Sequence, residues 1–197
     1  DDASCGLIRS VEKQTVNPVW RRVKMNSAGK SLLKHMGIKE MVQTAMLSAL
    51  VFAVTAFIQV PIPLGYLNFG NFTALMGCLL IPSPCGIIAA AAGSALADLI
   101  SWPVYAFPTL LIKGLMAFVF YRLMKTAKVK DSLCPAVSCA LALLVPVVGY
   151  TLTGMLIYGS FATGLMQLPG LLMEWGCNFF VFVIAARAVS NAVKVKK

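Results

Sequence analysis

Two ionisable side chains stand almost alone in apolar surroundings, Asp98 in GSALADLISW and Lys113 in FPTLLIKGL. A charge placed in hydrocarbon costs about 2.5–3.5 kcal/mol on insertion scales, so such a residue faces a partner or a cavity. The two lie on consecutive apolar stretches joined by a short turn, which lets opposite charges meet. They are read as a structural ion pair clamping two helices, with a ligand contact as the alternative. A second polar pair, Glu174 and Asn178, is spaced four residues apart in LLMEWGCNFF and so shares one helical face. An acid beside an amide, which both donates and accepts, suits recognition of a heteroaromatic or hydroxylated small molecule. Tyr150, Tyr158 and Gln167 flank the same region and can join that pocket.

Catalytic chemistry is thinly supplied. His35 is the single histidine and lies in a basic stretch outside the apolar runs, which leaves a serine nucleophile without a histidine base. No G-x-x-x-x-G-K-[ST] occurs, so the chain is not the ATP-hydrolysing part of a pump, and neither H-E-x-x-H nor G-x-S-x-G is found. The six cysteines (Cys5, Cys78, Cys85, Cys134, Cys139, Cys177) include no C-x-x-C and read as small apolar packing residues. The expectation is therefore a protein that is not an enzyme and carries no cofactor or metal. A small membrane enzyme or a stand-alone channel or transporter is the alternative; turnover or ATP-independent conduction would identify it.

The elements that must position these residues follow from composition. Of 197 residues, 59% are apolar and 12% charged, and mean hydropathy is +0.82. Soluble domains average about 45–50% apolar and about 25% charged, so the chain is read as a polytopic membrane protein of the cell membrane, in contact with lipid. Its net charge of +10 is concentrated at Arg9–Lys39, at Arg122–Lys130 and in the C-terminal tail. That is loop charge at a bilayer face rather than a nucleic-acid stripe.

The fold expected is an all-α bundle of six transmembrane helices, at about 40–60, 72–81, 85–101, 107–124, 133–158 and 168–193, the fifth kinked by Pro146 and Gly149. Three units result: a basic N-terminal segment 1–39, a membrane domain 40–193 and a basic tail 194–197. An even helix count puts both termini and the 122–130 loop in the cytoplasm, where the basic clusters belong. The loop at 61–69 and the turns at 102–105 and 159–167 then face outward. WRRVKMNSAGKSLLKH (20–35) reads as an amphipathic surface helix or a solvated tail. On the first helix Ala45, Ala49 and Ala53 recur every fourth residue, a smooth face that lets another helix approach closely.

YLNFGNF, IPSPCG and GSALADLISWPVYAFPTLLIKGLMA together resemble the substrate-binding S components of energy-coupling factor (ECF) transporters, in the branch of riboflavin-type and related vitamin S components. The likeness runs from about Met41 to Val189. It implies a membrane-embedded subunit that binds a vitamin or vitamin precursor in an outward pocket, for ATP-driven uptake with a transmembrane coupling subunit and two cytoplasmic ATPases. It implies that Ala45, Ala49 and Ala53 contact the coupling subunit. It places the ligand at Tyr66, Asn68, Asn71, Tyr105, Glu174 and Asn178, with Tyr150 added from its position beside them. Asn71 stands where members often carry an acid, and Pro82-Ser83 where a glycine is usual, departures that bear on the ligand.

Overall fold

Helix α1 (Ile38–Phe57) follows the basic N-terminal stretch in the computed structural model, which describes residues 38–62, 65–81, 84–126 and 134–195. The 20–35 segment and the basic residues Lys128 and Lys130 lie outside the described residues. Along α1, Leu47, Val51 and Thr55 are buried. Ala45, Ala49 and Ala53 lie about 200° around the helix from that stripe; Ala45 and Ala49 are exposed and Ala53 is half-buried. The core side of α1 packs so closely on the helix that carries Gly93 that a methyl group there would stand 2.5 Å from the Ser48 carbonyl oxygen.

The chain then turns into an antiparallel hairpin, β1 (Gln59–Ile62) and β2 (Gly65–Asn68), with Gln59 opposite Asn68 and Ile62 opposite Gly65. A loop was the expectation here. Pro61 hides the strand in the sequence because it has no N–H; a two-stranded ribbon tolerates it because each strand has an edge that needs no partner. Helix α2 (Gly70–Leu80) has 11 residues, about 16 Å of rise against about 30 Å of hydrocarbon. Nine of those residues are buried, against α1 and the helices that carry Asp98, Lys113 and Glu174. That enclosure admits a half-length helix and a hairpin into the bundle, since irregular backbone at membrane depth must be covered by protein.

Helices α3 (Pro84–Ser101) and α4 (Pro103–Thr126) pack against each other. Gly86, Ala90, Gly93, Ser94 and Ala97 on α3 are all buried. α4 begins at Pro103 rather than near 107, because proline suits a first helical turn whose N–H groups have no partner anyway. Tyr105 is therefore helical, not part of a turn. The next rod is divided into α5 (Cys134–Ala142) and α6 (Leu144–Tyr158). The break falls at Leu143 and not at Gly149, a correction with a local cause: Pro146 lacks an N–H and its ring crowds the carbonyl of Ala142. Gly149 instead lies in regular helix, where a methyl would come within 2.8 Å of the Ile112 side chain. The Trp175 indole donates to the Ala140 carbonyl at 3.1 Å, next to the break.

Gly159, left-handed at φ 61°, ends α6. Helix α7 (Phe161–Val195) follows after Ser160, so the turn expected over 159–167 contracts and Gln167 lies within a helix. Its buried stripe runs Gly164, Gln167, Glu174, Asn178, Phe182, Ala186. Five helical stretches among the described residues are long and apolar enough to cross a membrane: Glu40–Phe57, Pro84–Ser101, Pro103–Lys125, Cys134–Tyr158 and Phe161–Val189. The protein is a multi-pass, helical membrane bundle with a hairpin inserted between α1 and α2. Its apolar core gathers Leu75, Leu79, Met116, Leu143 and the edge-on pair Phe120–Phe182, 5.7 Å between ring centroids.

Candidate substrate site

The hairpin marks one end of the bundle. Gln59 Nε2 reaches Ser101 Oγ at 3.3 Å, which puts the α3–α4 turn beside the hairpin. The Tyr105 side chain interacts with Tyr158 and adjoins Gln167, which brings the α6–α7 turn to the same end. Below these turns, polar side chains that are far apart in sequence converge among apolar helices.

Asn71, in the first turn of α2, stands at the centre. Its Oδ1 accepts from Lys113 Nζ of α4, and its Nδ2 donates to Glu174 Oε1 of α7 at 2.8 Å. One amide thus relays between a base and an acid. Lys113 also feels the charge of Asp98 on α3, whose Oδ2 accepts from the Thr109 hydroxyl. Thr109 in turn lies 3.0 Å from the Tyr150 hydroxyl, and the Tyr150 ring covers the Lys113 ammonium at 5.6 Å from its centroid. Asp98, Lys113, Asn71 and Glu174 are all buried, at 4%, 2%, 2% and 6% exposure. Charges so enclosed must compensate one another, and one base set against two acids leaves the cluster short of positive charge.

Asn178, one turn further along α7, ties the same region to the backbone. Its Oδ1 accepts from Phe72 N at 2.8 Å and its Nδ2 donates to the carbonyls of Asn68 and Glu174, both at 2.9 Å. Asn68 Oδ1 accepts from Gly70 N at 2.8 Å. The first N–H groups of a helix have no partner within it, and Phe69 at the start of α2 supplies no side-chain cap. Asn68 and, from a distant helix, Asn178 take that role. The hairpin exit is thereby pinned to α7.

Of the residues expected at a ligand site, Asn68, Asn71, Glu174 and Asn178 therefore meet directly. Tyr150 joins them through Thr109 and Lys113, and Tyr105 stands beside Tyr150 with ring centroids 6.5 Å apart. The side chain of Tyr66 lies outside the described residues; its backbone pairs with Pro61 in the hairpin. Asp98 and Lys113 belong to the same cluster, each with a direct neutral partner, Thr109 and Asn71. Thr109 was not expected. A threonine in a membrane helix ordinarily bonds the carbonyl four residues back, as Thr151 and Thr153 do. Its one signal is the four-residue spacing to Lys113, which puts the two on one face.

The sequence profile of the S component of ECF-type riboflavin transporters matches residues 35–193. The chain belongs to that family. Its members are membrane-embedded substrate-binding subunits of transporters, not an enzyme class. An uncharacterized protein from the gap 3' region of Pyrococcus woesei is 42% identical over 66 residues, which is 32% of this chain and 45% of that protein, so less than half of that relative's length is matched. A solved structure described as that of the S component of a bacterial ECF transporter superposes with a TM-score of 0.63 at 22% identity, over 79% of this S component and 98% of the other. That likeness is one of fold. No group of three or more metal-ligating side chains occurs among the described residues.

Proposed function

We propose that this S component binds riboflavin, or a closely related flavin, in the buried polar cluster at the hairpin end. One observation carries the reading: the Lys113–Asn71–Glu174 relay, drawn from three helices into the interior of a bundle of this family. A lysine has three N–H donors and a carboxylate two oxygens, more capacity than Asn71 alone takes up. Lys113 can donate to a ring carbonyl and Glu174 can accept from the N–H beside it, two neighbouring groups on the carbonyl, N–H, carbonyl edge of an isoalloxazine ring. Lys113 serves both acids, as the counter-ion of Asp98 and as the partner of Glu174. Tyr66, Asn68, Tyr105, Tyr150 and Asn178 complete the surroundings of the ligand.

Six helices cross or enter the membrane, α2 as an enclosed half-length member and α5–α6 as one broken rod. Both termini are cytoplasmic and the hairpin faces outward, as the basic clusters at Arg9–Lys39 and Arg122–Lys130 support. Ala45 and Ala49, exposed on the side of α1 away from the core, with Ala53 beside them, receive a transmembrane coupling subunit, and two ATPases drive release to the cytoplasm from the cell membrane. The purified chain in detergent is expected to bind riboflavin one to one and quench its fluorescence. Uptake into vesicles is expected only with a coupling subunit and ATPases present. Absence of flavin binding by the folded chain would overturn the reading.

A further inference from the structure

Above the relay lies a buried polar group that the relay does not use. Gln167 is 7% exposed, and its Nε2 donates no hydrogen bond among the described residues. The amide lies flat on α6: a methyl at Gly154 would stand 2.8 Å from both Nε2 and Oε1. It also adjoins Tyr105, whose ring centroid lies 6.5 Å from that of Tyr150. A buried donor that approaches Tyr105 without forming a hydrogen bond of ordinary geometry has its desolvation cost offset only in part. Met or Leu would fill the α6–α7 seam without that cost, so packing alone does not account for an amide.

Gln167 and Glu174 are seven residues apart on α7, which places them on one face and about 10 Å apart along the helix axis. The face thus has two polar poles, the charged relay below and a single amide above, with the Tyr105 and Tyr150 rings between. We infer that Gln167 is a specificity-determining residue of this site, donating from Nε2 to an oxygen of the hydroxylated chain of the flavin. The inference rests on the flavin reading above. The ring edge, with a carbonyl beside an N–H, offers an acceptor to Lys113 and a donor to Glu174. The chain, which loses most by leaving water, then lies toward the hairpin end and meets the amide.

Lumiflavin, which keeps the tricyclic ring but has a methyl in place of the chain, separates the two contributions. Gln167→Met is expected to weaken riboflavin binding about tenfold or more while changing lumiflavin binding less than about twofold; retained lumiflavin binding also reports a folded protein. Gly154→Ala, which pushes the amide off its seat and leaves Gln167 in place, is expected to show the same selective loss. The double variant is then no worse than either single one. Equal losses for the two flavins, an unchanged riboflavin affinity, or additive effects in the double variant would each overturn the assignment. A wild-type chain that binds neither flavin would instead overturn the flavin reading itself, and the assignment with it.

Discussion

Along α7 the buried stripe changes character at its midpoint, with Gln167, Glu174 and Asn178 toward the hairpin and Phe182 and Ala186 beyond. α4 does the same, passing from Thr109 and Lys113 to Met116, Ala117, Phe120 and Met124, and so does α2, from Asn71 and Thr73 to Leu75 and Leu79. α3 runs in reverse, from Cys85, Ala89 and Ala90 to Ser94 and Asp98, because it points the other way. In all four helices the polar part is the one nearer the hairpin. Lipid tails are as apolar as leucine, so the far half gains little from hiding apolar surface and coheres through shape and close packing. The hairpin half coheres through hydrogen bonds and charges that few alternative packings would satisfy. One half is a scaffold; the other spends part of that stability on polar groups a ligand can engage.

The sharpest way to break this division is Lys113→Met, which leaves Glu174 and Asp98 without their base. A loss of about 3–5 kcal/mol of stability is expected for removing one partner of a buried charge set, together with loss of riboflavin binding by at least about a hundredfold. Lys113→Met combined with Glu174→Gln is expected to recover much of the thermal stability and none of the binding. A double variant that binds like wild type would show the relay to be packing only.

Phe120→Ala in the far half is expected to cost about 3–5 kcal/mol in unfolding, with the affinity of the folded fraction unchanged within about twofold. Flavin titration at matched folded fractions checks it, and a parallel fall in affinity would mean that the halves are not separable. Asn178→Leu removes the partners of Phe72 N–H and Asn68 C=O. About 2 kcal/mol is expected from two such bonds, with hydrogen exchange accelerated at Phe72 and not in α5. Ser94→Ala marks the small end. The Ser94 hydroxyl is fully buried with no hydrogen-bond partner among the described residues, so the change is expected to alter stability by less than about 0.5 kcal/mol or to raise it.

Much of the architecture was legible in the residues because the physics behind it is local. Long apolar runs mark membrane helices whatever they pack against. The lone charges and the Glu174–Asn178 spacing pointed to the polar half because a charge is costly anywhere in hydrocarbon. Two features were misread for the same reason, that proline has several uses: Pro61 looked like a loop and sits in a strand, and Pro103 looked like a turn and opens a helix. Pro146 was read as a kink and does break its rod, whereas Gly149 does not.

Sequence alone thus determined a basic-flanked, multi-pass helical membrane protein with buried charges at Asp98, Lys113 and Glu174, since hydropathy and the cost of charge depend on residue type. Tertiary structure decided the pairing. That Lys113 meets Asn71, that Asp98 is held by Thr109, and that Asn178 caps a helix 106 positions away in the chain depend on how four helices and a hairpin close around the short α2. No local rule contains that closure, because each bond joins residues that only the packed bundle makes neighbours.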